Sequence, residues 1–153
     1  MSNYKNEEPQ IKRENQKQEE EYSLYFDGAC KGNPGPAGAG CVLYQGSREV
    51  SYKYEFIGTN ETNNVAEYHA LVLGLKQSLS YGVRNLTVYG DSLLVINQVT
   101  GKFKVNSHKL NKYYEFAVEL SKQFESVRFQ HIPREKNKRA DELANLSLCD
   151  ISI

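Results

Sequence analysis

Hydrophobic and polar residues follow different periods along the chain, and these periods divide it into a polar segment and one folded domain. Residues 1–21 are almost wholly polar or charged. Such a segment cannot bury enough apolar surface to offset the loss of chain entropy, so we expect a disordered tail. From Tyr22 the pattern is that of a globular protein, and the length of 153 residues predicts a single domain over residues 22–153.

The domain begins with the pattern of three consecutive strands. The first, Tyr22–Cys30, ends in the Gly/Pro-rich segment KGNPGPAG, which predicts a turn. Two further strands are predicted over Ala39–Tyr44 and Arg48–Ile57, and the short QGS link between them favours a hairpin. Three strands in this order form an antiparallel meander.

Helical periodicity begins at Thr62, where apolar residues recur on one face until Gly82. Thr62 or Asn63 can cap this helix, and Gly82 can end it. The remaining predicted elements are a strand over Asn85–Gly90, a short helix over Ser92–Thr100, a long amphipathic helix over Ser107–Phe124, a strand over Val127–His131, and a final helix that Asn137 caps and that runs through Leu148.

This order of elements predicts an α/β fold with a mixed five-stranded sheet flanked by helices. Later strands that are separated by helices are usually parallel neighbours. In sheets of this kind, ligands collect outside the carboxyl ends of the parallel strands.

Charge and cysteine content narrow the class of protein. The net charge is zero, but residues 1–21 hold four Lys or Arg and six Glu, which leaves +2 on the rest of the chain. That balance is compatible with a polyanionic partner. No apolar run is long enough for a membrane span, and we expect no signal peptide. Three widely spaced cysteines without a CxxC pair then indicate reduced thiols and a cytoplasmic location.

Four carboxylates stand at positions where an apolar or neutral residue is expected. Asp27 and Asp91 end the first and fourth strands, Glu67 lies on the core-facing stripe of the first helix, and Asp141 lies in the first turn of the last helix. Singly, Asp27 can be a turn residue and Asp141 a helix-start acid favoured by the helix dipole. Together at one sheet edge the four carboxylates would repel one another, and their pKa values would rise unless a cation held them ionised. Oxygen ligands select hard cations such as Mg²⁺.

Four sequence segments carry a resemblance to type 1 ribonuclease H, particularly to its compact archaeal-type and plant-type members. They occur in the family's order and spacing, and the resemblance covers about residues 22–149. The segments are DGACKGNPGPAG at 27–38, TNNVAE at 62–67, GDS at 90–92 and HIPREKNKRADELAN at 131–145.

The resemblance implies an enzyme that cuts the RNA strand of an RNA/DNA hybrid. It implies that Asp27, Glu67, Asp91 and Asp141 are ligands of two Mg²⁺ ions, for which Mn²⁺ should substitute. Water attack on the phosphodiester would leave a 5′-phosphate and a 3′-hydroxyl. We expect a monomer with no obligate protein partner.

The resemblance also implies substrate contacts. Asn33, Asn63 and Asn64 match positions that the family uses in the minor groove, and Thr62 matches a threonine that grips a phosphate of the DNA strand. Cys30 joins these predicted substrate-binding residues. Plain capping and turn chemistry remains an alternative explanation for the polar ones.

The chain departs from the family pattern in two places. The loop before the last helix, PREKNKR, lacks the histidine that many members carry there. Arg134 is a candidate for its role, or else a phosphate-contacting or solvated arginine; His131 is expected at the strand end, facing the sheet. The basic insertion of some members is also missing, so Lys102 and Lys104 either grip the DNA backbone or lie on a solvated face.

Three other functions stay open. A binding-only module would keep the fold without the metal chemistry, although all four acids are present. An integrase or proofreading exonuclease on the same fold would space its acids differently. A nucleotide-binding protein is disfavoured because the Gly-rich segment contains neither GxGxxG nor a GxxxxGK[ST] loop.

Overall fold

The computed structural model describes residues 21–149, and within them the chain forms one five-stranded sheet with four helices. The strands are β1 (Tyr22–Cys30), β2 (Gly35–Gln45), β3 (Arg48–Glu61), β4 (Asn85–Gly90) and β5 (Ser126–His131). The helices are α1 (Asn63–Tyr81), α2 (Leu93–Val99), α3 (His108–Ser121) and α4 (Lys138–Cys149), and a 3₁₀ helix at Arg134–Lys136 precedes α4.

The strand order in the sheet is β3-β2-β1-β4-β5, which confirms the predicted mixed sheet. β2 is antiparallel to both β1 and β3, whereas β4 is parallel to both β1 and β5. Phe26 lies opposite Gly90 in the register of β1 and β4. The next residue of each chain segment is an aspartate, so Asp27 and Asp91 lie side by side where the pairing of β1 with β4 ends, while β1 continues beside β2 to Cys30.

The two faces of the sheet are covered differently. Large side chains such as Leu24, Phe26 and Tyr68 fill the space between the sheet and α1, and all three are fully buried. On the opposite face, α4 lies directly on Gly38 and Gly40 of β2, where an added Cβ would overlap atoms of the helix. This close approach brings the start of α4 to the middle of the sheet.

Three predicted element bounds were too narrow or too wide. β2 begins at Gly35 and β3 ends at Glu61, because these two residues pair through a stretch with register shifts that shows no hydrophobic alternation. The predicted turn therefore includes four residues, 35–38, that belong to a strand. The helix predicted to reach Phe124 ends at Ser121, and the following residues turn to donate back to the carbonyls of the last helical turn.

Residues 1–20 and 150–153 lie outside the described residues, and so does almost all of the predicted tail. Glu21 is described, and its carbonyl accepts a hydrogen bond from the backbone of Gly46 at 3.0 Å. None of the helices within residues 21–149 has the length and apolar character needed to cross a membrane.

Candidate active site

Three carboxylates meet where β1 and β4 end. One carboxylate oxygen each of Asp27, Glu67 and Asp91 can be chosen so that all three oxygens lie within 4.8 Å of one another. Asp27 and Glu67 are buried, with 5% and 8% of their surfaces exposed, and Asp91 is half-buried. The spatial meeting that the sequence predicted for these three acids is therefore present.

The start of α1 brings Glu67 to the strand ends. The helix begins after Thr62, whose hydroxyl oxygen accepts a hydrogen bond from the backbone of Val65 at 3.3 Å. An added Cβ at Gly28 would overlap the backbone of Ala66 and Glu67, so only glycine allows α1 to lie this close to β1. The backbone N–H of Gly28 donates to Oε1 of Glu67 and holds this carboxylate beside Asp27.

Asp141 lines the same cleft, which has a volume of about 510 Å³. It projects from the first turn of α4 and is half-buried. Asn145 lies one turn further along α4, and its side-chain amide donates to the backbone carbonyl of Asp141 at 2.9 Å and to Oδ1 of Asp141 at 3.3 Å. All four predicted carboxylates thus face one cleft, although the tight cluster contains three of them.

Burial and mutual repulsion make this cluster electrostatically unbalanced. Burial, followed by the interactions with Glu67, raises the pKa of Asp27 to about 11. Burial also raises the pKa of Glu67 to about 7, and the hydrogen bonds from Asp27 and from the Gly28 backbone oppose the rise. Oε2 of Glu67 is buried without a hydrogen-bond partner, and no ion pair among residues 21–149 includes any of the four acids. A cation would relieve both the repulsion and the unpartnered oxygen.

Comparison with known proteins identifies the family. A family profile described as "Reverse transcriptase-like" matches residues 25–147. The chain is 37% identical to a ribonuclease H of Wolbachia sp. over an alignment of 145 residues, which covers 85% of this chain and 97% of that protein. The chain belongs to the type 1 ribonuclease H family.

Other members of the family have the same fold. Ribonuclease HI of Halobacterium salinarum is 40% identical over 126 residues, or 82% of this chain. The crystal structure of LC11-RNase H1 in complex with an RNA/DNA hybrid matches with a TM-score of 0.81 and 33% identity, covering 87% of this chain and all of that one. The chain spans 63% of the Halobacterium protein's length and 33% of the length of its mycobacterial relatives.

Most of the substrate contacts that the ribonuclease H resemblance implied lie at or beside the cleft. Cys30, Asn63 and Asn64 line it. The thiol of Cys30 donates to the carbonyl of Glu61 at 3.1 Å. The side-chain oxygen of Asn33 accepts a hydrogen bond from the backbone of Asn63 at 3.1 Å and so supports the start of α1.

The basic residues are divided between the cleft and a distant loop. Arg134 is exposed at the start of the 3₁₀ helix and lines the cleft. Lys102 and Lys104 are exposed in the connection between α2 and α3 and are not among the cleft residues. His131 ends β5 as predicted, but its side chain is exposed, so the prediction that it faces the sheet was wrong.

Six further residues of the cleft were not predicted as site residues from the sequence: Gly28, Ala29, Lys31, Ser92, Asn145 and Leu148. Ser92 caps α2, its hydroxyl oxygen accepting from the backbone of Val95 at 3.3 Å, and it is placed at the cleft because it follows Asp91 directly. Asn145 could have been found, since a residue four positions after Asp141 shares its helix face. Lys31 carried no signal, because its position depends on the Gly/Pro-rich segment.

Asn137 occupies the predicted N-cap position of the last helix, where its carbonyl accepts from the backbone of Asp141, but its side chain does not cap the helix. Its side chain turns away from α4, and Nδ2 donates to the backbone carbonyl of Phe26 at 2.9 Å. Oδ1 of Asn137 is buried and accepts no hydrogen bond within the described residues. A capping side chain would instead accept from the first backbone amides of the helix.

Proposed function

We propose that this chain is an endonuclease that hydrolyses the RNA strand of RNA/DNA hybrids with the help of two bound divalent metal ions. The observation that carries the proposal is the convergence of carboxylates from β1, α1, the end of β4 and α4 on one cleft, without any ion pair to them among residues 21–149. Membership of the type 1 ribonuclease H family supports the same reaction.

The donor set fits hard cations. The cluster offers carboxylate oxygens only, which favours Mg²⁺, with Mn²⁺ able to replace it. The unpartnered Oε2 of Glu67 is an oxygen that a cation would satisfy. Asp27, Glu67, Asp91 and Asp141 would hold the ions. When bound, two Mg²⁺ ions supply an activated water and stabilise the departing 3′-oxygen, which gives 5′-phosphate and 3′-hydroxyl products.

The cleft residues support recognition of a hybrid duplex. Asn63 and Asn64 precede Glu67 by one turn, so their amides can meet base edges and 2′-hydroxyl groups near the carboxylates. Cys30 and Asn33 border the same region. Thr62 would bind a phosphate, and its position at the start of α1, where the helix dipole favours an anion, supports this role.

Positive residues contribute at the edges of the site. Arg134 would contribute a positive charge at the rim of the cleft. Its role would be electrostatic, because arginine does not transfer protons in catalysis near neutral pH. Lys102 and Lys104 would contact the backbone of the DNA strand beyond the cleft, which makes binding depend on salt concentration.

We propose a monomer, because the four carboxylates that would hold the metal ions all come from one chain. We also propose a reducing, cytoplasm-like compartment, because no disulfide joins the cysteines within residues 21–149.

The test is cleavage of an RNA/DNA hybrid labelled on the RNA strand, beside RNA/RNA and DNA/DNA duplexes, with Mg²⁺ and with chelator. We expect cleavage of the RNA strand of the hybrid alone, lost when the metal is removed. A protein that shifts the hybrid in a gel without cutting it would be a binding module. Cleavage of the DNA duplex would point to a different nuclease.

A further inference from the structure

The connection between β5 and α4 is attached to both strands that carry catalytic-site aspartates. The backbone N–H of Ile132 donates to the carbonyl of Gly90 at 2.9 Å, and Gly90 directly precedes Asp91. At the other end of the connection, Nδ2 of Asn137 donates to the carbonyl of Phe26 at 2.9 Å, and Phe26 directly precedes Asp27.

Asn137 is joined by its backbone to two further residues of the site. Its N–H donates to the carbonyl of Arg134 at 2.9 Å, and its carbonyl accepts from the N–H of Asp141 at 3.1 Å. One residue therefore contacts the backbone of Phe26, the residue before Asp27, and the backbones of Arg134 and Asp141.

The burial of Asn137 needs an explanation that local helix geometry does not supply. Its exposed fraction is 1%, and burying an amide is costly when its hydrogen bonds are incomplete. Oδ1 has no partner, so the bond to Phe26 is the side chain's single hydrogen bond among the described residues. Phe26 is itself fully buried in the central strand, which makes its carbonyl a fixed anchor.

We propose that Asn137 is a positioning residue, which sets the distance between Asp141 on α4 and Asp27 on β1 and so determines how tightly the site binds Mg²⁺. This inference rests on the proposed function. Without the side-chain bond, α4 is attached to the sheet by its close approach to Gly38 and Gly40, which involves Ala140 in the first turn and Ala144 one turn later.

The experiment compares wild type with Asn137→Ala and Asn137→Leu. Leucine has the same number and branching of side-chain heavy atoms as asparagine, so it removes the hydrogen bond and retains the shape. Two quantities are measured as Mg²⁺ is titrated: the rise in melting temperature without substrate, and the rate of hybrid cleavage. In both variants we expect the Mg²⁺ concentrations that give half of the rise in melting temperature and half of the maximal cleavage rate to be about tenfold higher than in the wild type. Saturating Mg²⁺ should largely restore cleavage.

Gln77→Ala is the matched control. Gln77 is also a buried amide, 3% exposed, and it bonds Cys41 and Ser51. It lies on α1 ten residues after Glu67, about 15 Å along the helix axis. We expect this variant to lower the melting temperature in chelator and to leave the half-saturating Mg²⁺ concentration unchanged.

A double variant tests whether Asn137 acts through Asp141. In the Asp141→Asn background, Asn137→Leu should cause no further change in half-saturating Mg²⁺, because the carboxylate that it positions is gone. An unchanged Mg²⁺ dependence in Asn137→Leu, or a full additional shift in the double variant, would overturn the inference. Failure of the wild type to cleave the hybrid would instead overturn the proposed function.

Discussion

Removal of metal should make the stability of this protein fall as the pH rises, and Asp27 is the residue responsible. Burial, the side-chain interaction with Glu67 and the charges of Glu67 and Asp91 raise the pKa of Asp27 to about 11. In the unfolded chain an aspartic acid titrates near pH 4. Between pH 5 and pH 7 the metal-free folded state therefore holds about one more proton at Asp27 than the unfolded state does, and Glu67, whose pKa is raised to about 7, adds to this excess.

The sign and size of the effect follow from this proton. An acid whose folded pKa is raised contributes most to stability below its unfolded pKa, and the contribution is lost as the pH rises towards the folded pKa. One proton corresponds to about 1.4 kcal/mol per pH unit, so Asp27 should lower the free energy of unfolding by about 3 kcal/mol from pH 5 to pH 7. Asp27→Asn removes this titration and should keep only the loss that Glu67 causes.

Urea unfolding in chelator at pH 5, 6 and 7 measures the difference between wild type and Asp27→Asn. The difference cancels the contributions of other titrating groups, such as the three histidines. Glu125→Gln neutralises an exposed carboxylate and should follow the wild type. At pH 7, saturating Mg²⁺ should raise the free energy of unfolding of the wild type more than that of Asp27→Asn, because the ions favour the ionised form of Asp27. Parallel profiles for wild type and Asp27→Asn in chelator would refute the reasoning.

Four other outcomes are expected. Asp91→Asn should abolish Mg²⁺-dependent cleavage and leave the circular dichroism spectrum unchanged; near-normal cleavage would remove Asp91 from the site. Gly28→Ala should cost about 1–3 kcal/mol of stability and most of the activity, because its Cβ meets the backbone of α1. Gly58→Ala is the control, since the nearest atom to its added Cβ lies at 3.5 Å, and it should keep normal stability in urea and normal cleavage. Equal losses of stability and activity in Gly28→Ala and Gly58→Ala would contradict this explanation. Arg134→Ala should slow multiple-turnover cleavage without abolishing it, whereas an unchanged rate would favour a merely solvated arginine. Deletion of residues 1–20 should leave the cleavage rate within a few-fold, and a collapse would show that the segment binds substrate.

The fold was largely predictable because each element carried its own local signal. Tyr22–Cys30 and Asn85–Gly90 were predicted with the bounds that the structure shows. Thr62 caps α1 and Gly82, in the left-handed conformation, ends it, as the sequence indicated. The extension of β2 to Gly35 was not predictable, because it depends on backbone pairing with Glu61 and on no side-chain pattern.

The carboxylates were predictable for a different reason, namely that each occupies a position that hydrophobic burial would otherwise fill. Glu67 was the clearest example, since it shares a helix face with the buried Ala70 and Leu71. The role of Asn137 was not predictable from local pattern. An asparagine four residues before Asp141 reads as a cap, and its partner, Phe26, is 111 residues away in the sequence.

The four carboxylates come from residues spread between positions 27 and 141, and the last of them lies on the final helix of the described chain. During synthesis the proposed set of metal ligands is therefore incomplete until Asp141 has been added to the chain. The proposed hydrolysis would in addition require α4 to dock on Gly38 and Gly40 of β2, because this docking brings Asp141 to the other three acids.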